Sequence, residues 1–237
     1  MNHIILDEIA KLEPELKKYF KQLFQSAPQE FLNTCSIITV KKNKRFITTG
    51  EDLNKVWICL SGTVNVMEEF ATGDTYIFTR FSAPIIFGEM EALAKISRFR
   101  ATLVTVTDCI FIVGSAPEYI SWLKKDAQLL YKRTHDILRC FMDEGRDTRT
   151  YLLLSGIERI KLYFIQQYEL TGKDEVCLLT NTRQQIADET GYSLKTVNRV
   201  IGKLKTLGLI TINGHKILVN KQQYNDMLES IDEKIKH

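Results

Sequence analysis

Apolar positions change their spacing along this chain, and each change predicts a different kind of element. Residues 1 to about 32 have apolar side chains at helical spacing, which Ala27-Pro28 interrupts. Short β-branched and aromatic runs follow, separated by turn residues such as Gly50 and Ser61-Gly62. The runs lie at residues 37–40, 56–60, 63–67, 76–79, 103–106 and 109–113. This pattern predicts N-terminal helices and then a small antiparallel β-sandwich or barrel.

A long helix is predicted after a loop at residues 114–117. Residues 126 to 152 include no proline and one glycine, so they predict a helix of about 27 residues, about 40 Å long. Apolar or small side chains recur along it at spacings of four, three and four, which is a short coiled-coil seam. The seam comprises Leu130, Thr134, Ile137 and Phe141. We interpret it as a parallel dimer interface; the alternative is packing against the β-unit of the same chain.

Two helices separated by a glycine are predicted near the C-terminus. Thr182 and Gln185 have the spacing of a capping box, which starts the first helix. Gly191 supplies the turn, and Ser193 can cap the second helix. One face of the second helix is apolar, at Val197, Ile201 and Leu204. The spacing predicts a helix-turn-helix, and an ordinary helical hairpin is the alternative.

A winged helix is predicted from the residues after this motif. Two apolar runs at 210–212 and 216–219 flank Asn213-Gly214, a strong signal for a β-hairpin. From Ser193 to Lys221 there are six Lys or Arg residues and no Asp or Glu, although the formal net charge of the chain is only +3. A solely basic segment at this place predicts binding to double-stranded DNA.

The outer face of the second helix supplies the predicted DNA contacts. Lys195 and Arg199 lie one turn apart and are expected to contact base edges, with guanine as the partner of Arg199. Phosphates are expected to be held mainly by Arg183, Ser193, Thr196, Lys203 and Lys216. Leu194 and Asn198 complete the predicted DNA-binding residues.

Composition excludes several other classes of protein. A length of 237 residues with 44% apolar side chains predicts one or two domains. No apolar run approaches the roughly 18 to 20 residues that span a bilayer, so we expect a cytoplasmic protein without a membrane partner. The cysteines and histidines have no metal-ligand spacing, so no metal site is expected. The absence of P-loop, GxSxG and HExxH motifs predicts that the chain is not an enzyme.

A β-unit, a long helix and a winged helix in this order resemble the Crp/Fnr family (cyclic-AMP receptor protein / FNR) of bacterial transcription regulators, over nearly the whole chain. The local matches are Gly50-Glu51, Leu60-Ser61-Gly62-Thr63-Val64, Phe87-Gly88-Glu89, Arg100-Ala101-Thr102 and residues 182–209. Where the family commonly has Ser-Arg-Glu-Thr-Val-x-Arg, this chain has Leu194 and Lys195 in place of Arg and Glu. The operator common in the family is therefore not expected here.

The resemblance implies an α+β fold and a homodimeric regulator. It implies a jelly-roll-like β-roll of the cyclic-nucleotide-binding type with N-terminal helices in residues 1–125. It further implies a dimerisation helix and hinge in residues 126–154 and a winged-helix domain in residues 155–237. An effector in the β-roll would reposition the helix-turn-helix, and RNA polymerase would be a further partner.

The same resemblance locates an effector pocket. In nucleotide-responsive members of the family the segment from Gly88-Glu89 to Arg100-Ala101-Thr102 is the phosphate-binding cassette. Glu89 would bind a ribose hydroxyl and Arg100 a phosphate oxygen. The spacing from Glu to Arg is one residue longer than in the cyclic-AMP receptor, and Ala101 replaces a serine. A cyclic nucleotide is therefore an alternative that these differences disfavour, and the expected effector is an unknown small molecule. Glu89 and Arg100 could instead pair with each other and have only a structural role.

Other sensor types of the family can be compared with the residues present. No cysteine precedes Cys35, which argues against an iron–sulfur cluster, and no histidine lies between residues 36 and 113, which argues against haem. Cys59 and Cys109 remain as possible haem ligands. Cys35 and Cys140 are candidates for a redox switch, but the favoured interpretation is that these cysteines are packed thiols without a redox role. The predicted function is a DNA-binding regulator with an unknown small-molecule effector. Its rival is a ligand-binding or scaffold module whose helical hairpin does not bind DNA.

Overall fold

Residues 3–69, 75–171, 175–214 and 216–235 are described by the computed structural model, in which the chain forms two units, Met1–Met142 and Asp143–His237. Helices of the first unit are α1 (His3–Ala10), α2 (Pro14–Leu23), α3 (Gln29–Leu32), α4 (Glu89–Leu93), α5 (Ala116–Lys125) and the first part of α6 (Ala127–Leu153). Its strands are β1 (Ser36–Val40), β2 (Arg45–Ile47), β3 (Lys55–Ser61), β4 (Thr63–Glu69), β5 (Thr75–Ser82), β6 (Ile85–Phe87), β7 (Thr102–Thr105) and β8 (Cys109–Ser115).

The predicted antiparallel β-roll is confirmed. Two four-stranded sheets have the orders β1-β8-β3-β6 and β2-β7-β4-β5, and every pairing in them is antiparallel. Alternate side chains of β3 pack into two different apolar cores, because successive residues of a strand point to opposite faces of the sheet. Cys59 joins an apolar cluster with residues of both sheets, whereas Val56, Ile58 and Leu60 pack with the N-terminal helices and α5.

The sequence prediction was wrong at residues 114–117. Instead of a loop, Gly114 and Ser115 end β8, and α5 begins at Ala116. The Ser115 hydroxyl accepts a hydrogen bond from the Glu118 amide, and Pro117 lies in the first turn, where the missing amide hydrogen costs no helical bond. The three-residue strands β2 and β6 also had no sequence signal of their own. Short strands of this kind are defined by the neighbours with which they pair.

The long helix has the predicted length. α6 contains 27 residues and continues from the first unit into the second. At 1.5 Å per residue it is about 40 Å long. It ends at Leu153, and a new helix begins at Gly156. No helix among the described residues is long and apolar enough to cross a membrane.

The second unit is a helical domain with a three-stranded antiparallel sheet. Its elements are the end of α6, α7 (Gly156–Thr171), β9 (Val176–Leu179), α8 (Arg183–Thr190), α9 (Leu194–Thr206), β10 (Thr211–Asn213), β11 (Lys216–Asn220) and α10 (Lys221–Ile235). The sheet order is β10-β11-β9, so the predicted hairpin gains a third strand that the sequence did not reveal. Buried side chains of α7, α8, α9, α10 and the sheet form one apolar core.

Candidate nucleic-acid interface

The start of α8 is set by a reciprocal pair of hydrogen bonds. The Thr182 hydroxyl accepts from the Gln185 amide at 3.2 Å, and the Gln185 side-chain oxygen accepts from the Thr182 amide at 2.8 Å. The predicted capping box is therefore confirmed, and it satisfies two amides that a helix start otherwise leaves without partners. Ile186 and Ala187 are buried directly after it. This geometry fixes the first helix of the motif against the domain core.

The turn between α8 and α9 requires a glycine. Gly191 has φ +70°, a left-handed conformation that favours glycine, and it ends α8. The Tyr192 amide donates to the Ala187 carbonyl at 3.2 Å and completes the turn. Ser193 then caps α9, because its hydroxyl accepts from the Thr196 amide at 3.3 Å. The turn is thus closed by local bonds on both sides.

One face of α9 anchors it in the second unit. The apolar side chains on this face are Val197, Val200, Ile201 and Leu204, each at most 6% exposed. All four belong to the core formed with α7, α8 and the sheet. Because this face is held by packing, the opposite face of the helix is presented at a fixed angle. The helix-turn-helix predicted from the spacing is confirmed.

The opposite face of α9 carries the predicted DNA-binding side chains. Ser193, Leu194, Lys195, Asn198, Arg199 and Lys203 are exposed, and Thr196 is half-buried. Within the part of the chain that the structure describes, Lys195, Arg199 and Lys203 form no ion pair. Lys195 and Arg199 are one helical turn apart and point the same way. The face therefore offers, at Lys195, Arg199 and Lys203, positive charge that the described part of the chain does not pair.

Two further predicted contacts flank this face. Lys216 is exposed at the start of β11, where it pairs with Asn213 of β10. The predicted hairpin is confirmed: Asn213 is the last residue of β10, and Gly214 follows it with φ +60°. Arg183 is half-buried at the first position of α8, and one nitrogen of its guanidinium is buried without a hydrogen-bond partner. Burial lowers the Arg183 pKa from its ordinary value.

The predicted effector cassette begins at a constrained glycine. Gly88 has φ +82° and precedes α4, and a Cβ atom at this position would lie 2.9 Å from Leu53 Cδ1 and 3.0 Å from the Lys55 carbonyl oxygen. Only glycine fits this backbone without movement of its neighbours. The next residue, Glu89, is 1% exposed. The turn thus directs the first acidic side chain of α4 into the interior of the unit.

Glu89 is held by a buried network that the sequence did not reveal. Arg133 of α6 donates to both carboxylate oxygens, at 2.9 Å from Nε to Oε1 and 2.6 Å from Nη2 to Oε2, and Tyr119 donates to Oε1 at 2.5 Å. Arg133 Nη1 also bonds Asp136, at 2.9 Å, and the Tyr19 hydroxyl. Glu89 is therefore paired with Arg133. The alternative prediction that Glu89 pairs with Arg100 was wrong. The sequence signal that could have revealed this network is Arg133 itself, a charged residue one turn after the buried Leu129 on α6, because a buried charge requires a partner.

The network controls the protonation of its members. Burial opposes the charge on Arg133, but the hydrogen bonds and the charge of Glu89 outweigh burial and raise the Arg133 pKa. Burial, reinforced by the charge of Glu89, raises the Tyr119 pKa well above its ordinary value. Burial also raises the Tyr19 pKa. Both hydroxyls consequently stay protonated and keep their roles as hydrogen-bond donors.

The other cassette residues do not converge with Glu89. Arg100 is exposed, and its backbone amide donates to Glu91 Oε1 at 3.4 Å. Ala101 is half-buried, and the buried Thr102 hydroxyl accepts from the Thr49 amide at 3.1 Å. The Glu89 carboxylate, which was predicted to bind a ribose hydroxyl, therefore lies inside the unit. Arg100, which was predicted to bind a phosphate, lies at the surface.

The predicted seam of α6 is divided between two environments. Thr134 is exposed and Phe141 is 63% exposed. Leu130 and Ile137 are half-buried, and Leu130 packs against the core of the first unit. Over residues 127–142 of this helix, where side-chain burial is described, the exposed large apolar side chains are Tyr131 at 76%, Leu138 at 54%, Phe141 at 63% and Met142 at 69%. The exposed apolar stripe is therefore rotated by about one residue relative to the predicted seam.

All five cysteines are free thiols. Cys59, Cys109 and Cys177 are buried, whereas the two redox candidates, Cys35 and Cys140, are half-buried. The neighbouring Cys59 thiol on β3 lowers the pKa of Cys109 on β8 below its ordinary value. No group of three potential metal ligands lies together within the described ranges.

Comparisons with known proteins match both units. A model of the cyclic nucleotide-binding domain matches residues 37–126, and a model of the Crp-like helix-turn-helix domain matches residues 158–223. The cAMP-activated global transcriptional regulator CRP of Haemophilus influenzae is 26% identical over 192 residues, which cover 80% of this chain and 86% of that protein. The nitrogen fixation regulation protein FixK of Rhizobium meliloti is 23% identical over 180 residues, with coverages of 74% and 78%.

Solved structures show the same fold. The c-di-GMP responsive global regulator CLP of Xanthomonas campestris superposes with a TM-score of 0.70 at 20% identity, covering 80% of this chain and 95% of that one. Together with the helix-turn-helix match, this decides against the interpretation of residues 182–206 as an ordinary helical hairpin. The architecture and the family matches point to the same class of protein.

Proposed function

The chain belongs to the Crp/Fnr family of DNA-binding transcription regulators, and we propose that it acts as a homodimer in which two copies of α9 read the halves of one operator. The exposed, unpaired basic face of α9 is the observation that supports this proposal. Lys195 and Arg199 contact base edges, where both side chains match the acceptors of guanine. Arg183, Ser193, Thr196, Lys203 and Lys216 hold phosphates and fix the register of the helix on the duplex.

Selection from a random library of duplexes tests this proposal. The full chain should enrich one sequence with two related halves, because a two-fold dimer presents two identical helices about one turn of DNA apart. Enrichment of a single, unrepeated half would contradict the dimeric arrangement. Enrichment of no sequence would contradict base recognition by α9. Because the operator lies on the chromosome, the proposed place of action is the cytoplasm, with RNA polymerase as the partner that the bound dimer recruits or blocks.

The exposed stripe of α6 supports the dimer. Tyr131, Thr134, Leu138 and Phe141 follow one another at spacings of three, four and three, the a and d positions of a coiled coil. An exposed run of large apolar side chains on one helix marks an interaction surface. The two-fold partner is a second copy of α6, because identical stripes are complementary to each other about a two-fold axis. The seam is therefore proposed at these four residues.

Sedimentation equilibrium with Leu138→Glu tests the seam. A glutamate at this position brings two like charges together in the apolar interface, so the variant should be monomeric at concentrations where the wild-type chain is dimeric. Leu93→Glu is the matched control, because Leu93 is also exposed, at 36%, but lies on α4 outside the stripe. A Leu138→Glu protein that remains as dimeric as the control would contradict the seam.

The effector is proposed to be a small molecule other than a cyclic nucleotide. Glu89 is 1% exposed and already accepts hydrogen bonds from Arg133 and Tyr119, so its carboxylate is not presented to a ribose hydroxyl. Arg100 lies at the surface, and Ala101 offers no hydroxyl. Titration calorimetry with cyclic AMP and cyclic GMP should therefore give no binding heat at millimolar ligand. Saturable heat that disappears in Arg100→Ala would contradict this statement.

A further inference from the structure

A cavity in the first unit lies at the joint between α5 and α6. Its volume is about 320 Å³, and small-molecule sites begin at about 300 Å³. The segment between α2 and α3 contributes Ser26 and Pro28, and the joint contributes residues from Trp122 to Gln128. The cavity is therefore separate from the cassette that begins at Gly88.

The apolar part of this cavity is formed by a fixed aromatic side chain. Trp122 is the most buried of the lining residues, at 2% exposed, and its ring packs against those of Phe24 and Phe31. Trp122 Nε1 donates to Ser26 Oγ at 3.3 Å, so the polar atom of the ring already has a partner. An apolar group can therefore contact this end of the cavity without leaving the indole nitrogen unpaired.

Two opposite charges lie next to each other in the lining. Asp126 accepts hydrogen bonds from the Leu129 amide, at 2.9 Å, and from the Ser26 hydroxyl, and these bonds lower the Asp126 pKa. A carboxylate can accept about four hydrogen bonds, so Asp126 keeps capacity for a ligand. Lys125 is exposed and forms no ion pair within the described ranges. The cavity thus offers one anion and one unpaired cation beside an apolar surface.

This set of groups matches the parts of a free α-amino acid. The carboxylate of such a ligand can bond the Lys125 ammonium, its ammonium can bond Asp126, and its side chain can contact Trp122. A phosphate ester is a poorer match, because its charge would lie next to the Asp126 carboxylate. We propose that the cavity binds an α-amino acid with an apolar side chain, and that this amino acid is the effector. The effector role rests on the proposed function, whereas the binding site does not.

Asp126 connects the cavity to the long helix. This residue follows the last residue of α5, and its side chain caps the first turn of α6 through the Leu129 amide. α6 continues from there into the second unit. A ligand that bonds Asp126 therefore acts on the group that fixes the start of α6. If it binds one arrangement of this helix start better than another, it shifts the population toward that arrangement.

Titration calorimetry of the full chain tests the site with L-leucine, L-valine, L-methionine and L-phenylalanine. At least one of them should give saturable heat. Isoamylamine and isocaproate keep the leucine side chain but lack one charge each, so they should bind at least about tenfold more weakly than L-leucine. That ratio corresponds to the loss of one charge-assisted hydrogen bond. No heat with any of the four amino acids would overturn the proposal.

Variants at the joint assign the heat to this cavity. Lys125→Met should weaken binding about tenfold or more, whereas Lys124→Met is the matched control, because Lys124 is exposed but does not line the cavity. Asp126→Asn should also weaken binding and should still fold, since asparagine caps a helix as well as aspartate does. Affinity that Lys125→Met and Asp126→Asn both retain would overturn the site.

Binding to the selected duplex tests the effector role. The amino acid that binds should change the affinity of the wild-type chain for this duplex about fivefold or more, and Lys125→Met should abolish the change. An amino acid that binds in the cavity but leaves the affinity for DNA unchanged would overturn the effector role. If the wild-type chain selects no duplex at all, the proposed function fails, and calorimetry still decides whether the cavity binds an amino acid.

Discussion

Two arginines show how differently the two units use the same side chain. Arg133 has a side chain that is 4% exposed, and its guanidinium bonds Glu89, Asp136 and Tyr19. Arg199 is exposed and has no acidic partner in the described part of the chain. A buried charge requires partners within the protein, whereas an exposed charge fixed on a rigid helix remains available to a partner outside it. Glu89 is therefore held by partners inside its own unit, whereas the exposed face of α9 is the surface that we propose binds DNA.

The largest expected effect is the loss of the buried pair. Arg133→Met leaves Glu89 buried without its cation, which should lower the free energy of unfolding by about 3 to 5 kcal/mol. Denaturant unfolding of the full chain, followed by signals from the first unit, measures this change. The double variant Glu89→Gln with Arg133→Met should recover part of the loss, since it removes the unpaired charge.

An exposed pair is the control for this prediction. Arg98 and Asp52 are 3.4 Å apart, with side chains 68% and 73% exposed, so Arg98→Met should change the unfolding free energy by less than about 1 kcal/mol. If Arg133→Met is no more destabilising than Arg98→Met, the buried network has no structural role and the comparison between the two units fails.

The converse effect is expected for the exposed arginine. Arg199→Ala should weaken binding to the selected duplex by about 1 to 3 kcal/mol and relax the preference at one base pair. Its unfolding free energy should stay within about 0.5 kcal/mol of wild type, because the Arg199 side chain has no partner among the residues that the structure describes. Lys205→Ala is the control on the same helix. Uniform weakening on all sequences would identify Arg199 as a phosphate contact only.

The smallest expected effects come from two glycines. Gly202 lies inside α9, and a Cβ added there meets no atom within 4 Å, so Gly202→Ala should raise the unfolding free energy by up to about 1 kcal/mol through helix propensity. Gly88→Ala should lower it, because φ is +82° and the Cβ would meet Leu53 and the Lys55 carbonyl. Thermal unfolding of both variants measures the signs. A loss of stability in Gly202→Ala would contradict the open environment of this helix face.

Local signals in the sequence predicted the helix-turn-helix correctly. Thr182, Gln185 and Gly191 act on residues at most four positions away, so their spacing alone determines the cap and the turn. The inner face of α9 follows from helical periodicity for the same reason. Both features therefore needed no knowledge of the rest of the chain.

Features that depend on distant parts of the chain were not predicted. Glu89 and Arg133 are 44 residues apart, and β9 pairs with β11 across the whole helix-turn-helix. Helical periodicity defines an apolar face of α6 but does not say what covers that face, so the predicted seam includes Leu130 and Ile137, which are half-buried. Leu130 is covered by the core of the first unit, which is a fact of tertiary packing.

Binding of the full chain to DNA as a function of salt tests the central claim most directly. Affinities would be measured for the selected duplex and for a shuffled duplex of the same composition. The account predicts a preference of about a thousandfold or more for the selected sequence, and an affinity that falls linearly with log salt by about 0.9 per phosphate contact. Equal affinity for both duplexes, or affinity that does not change with salt, would contradict it.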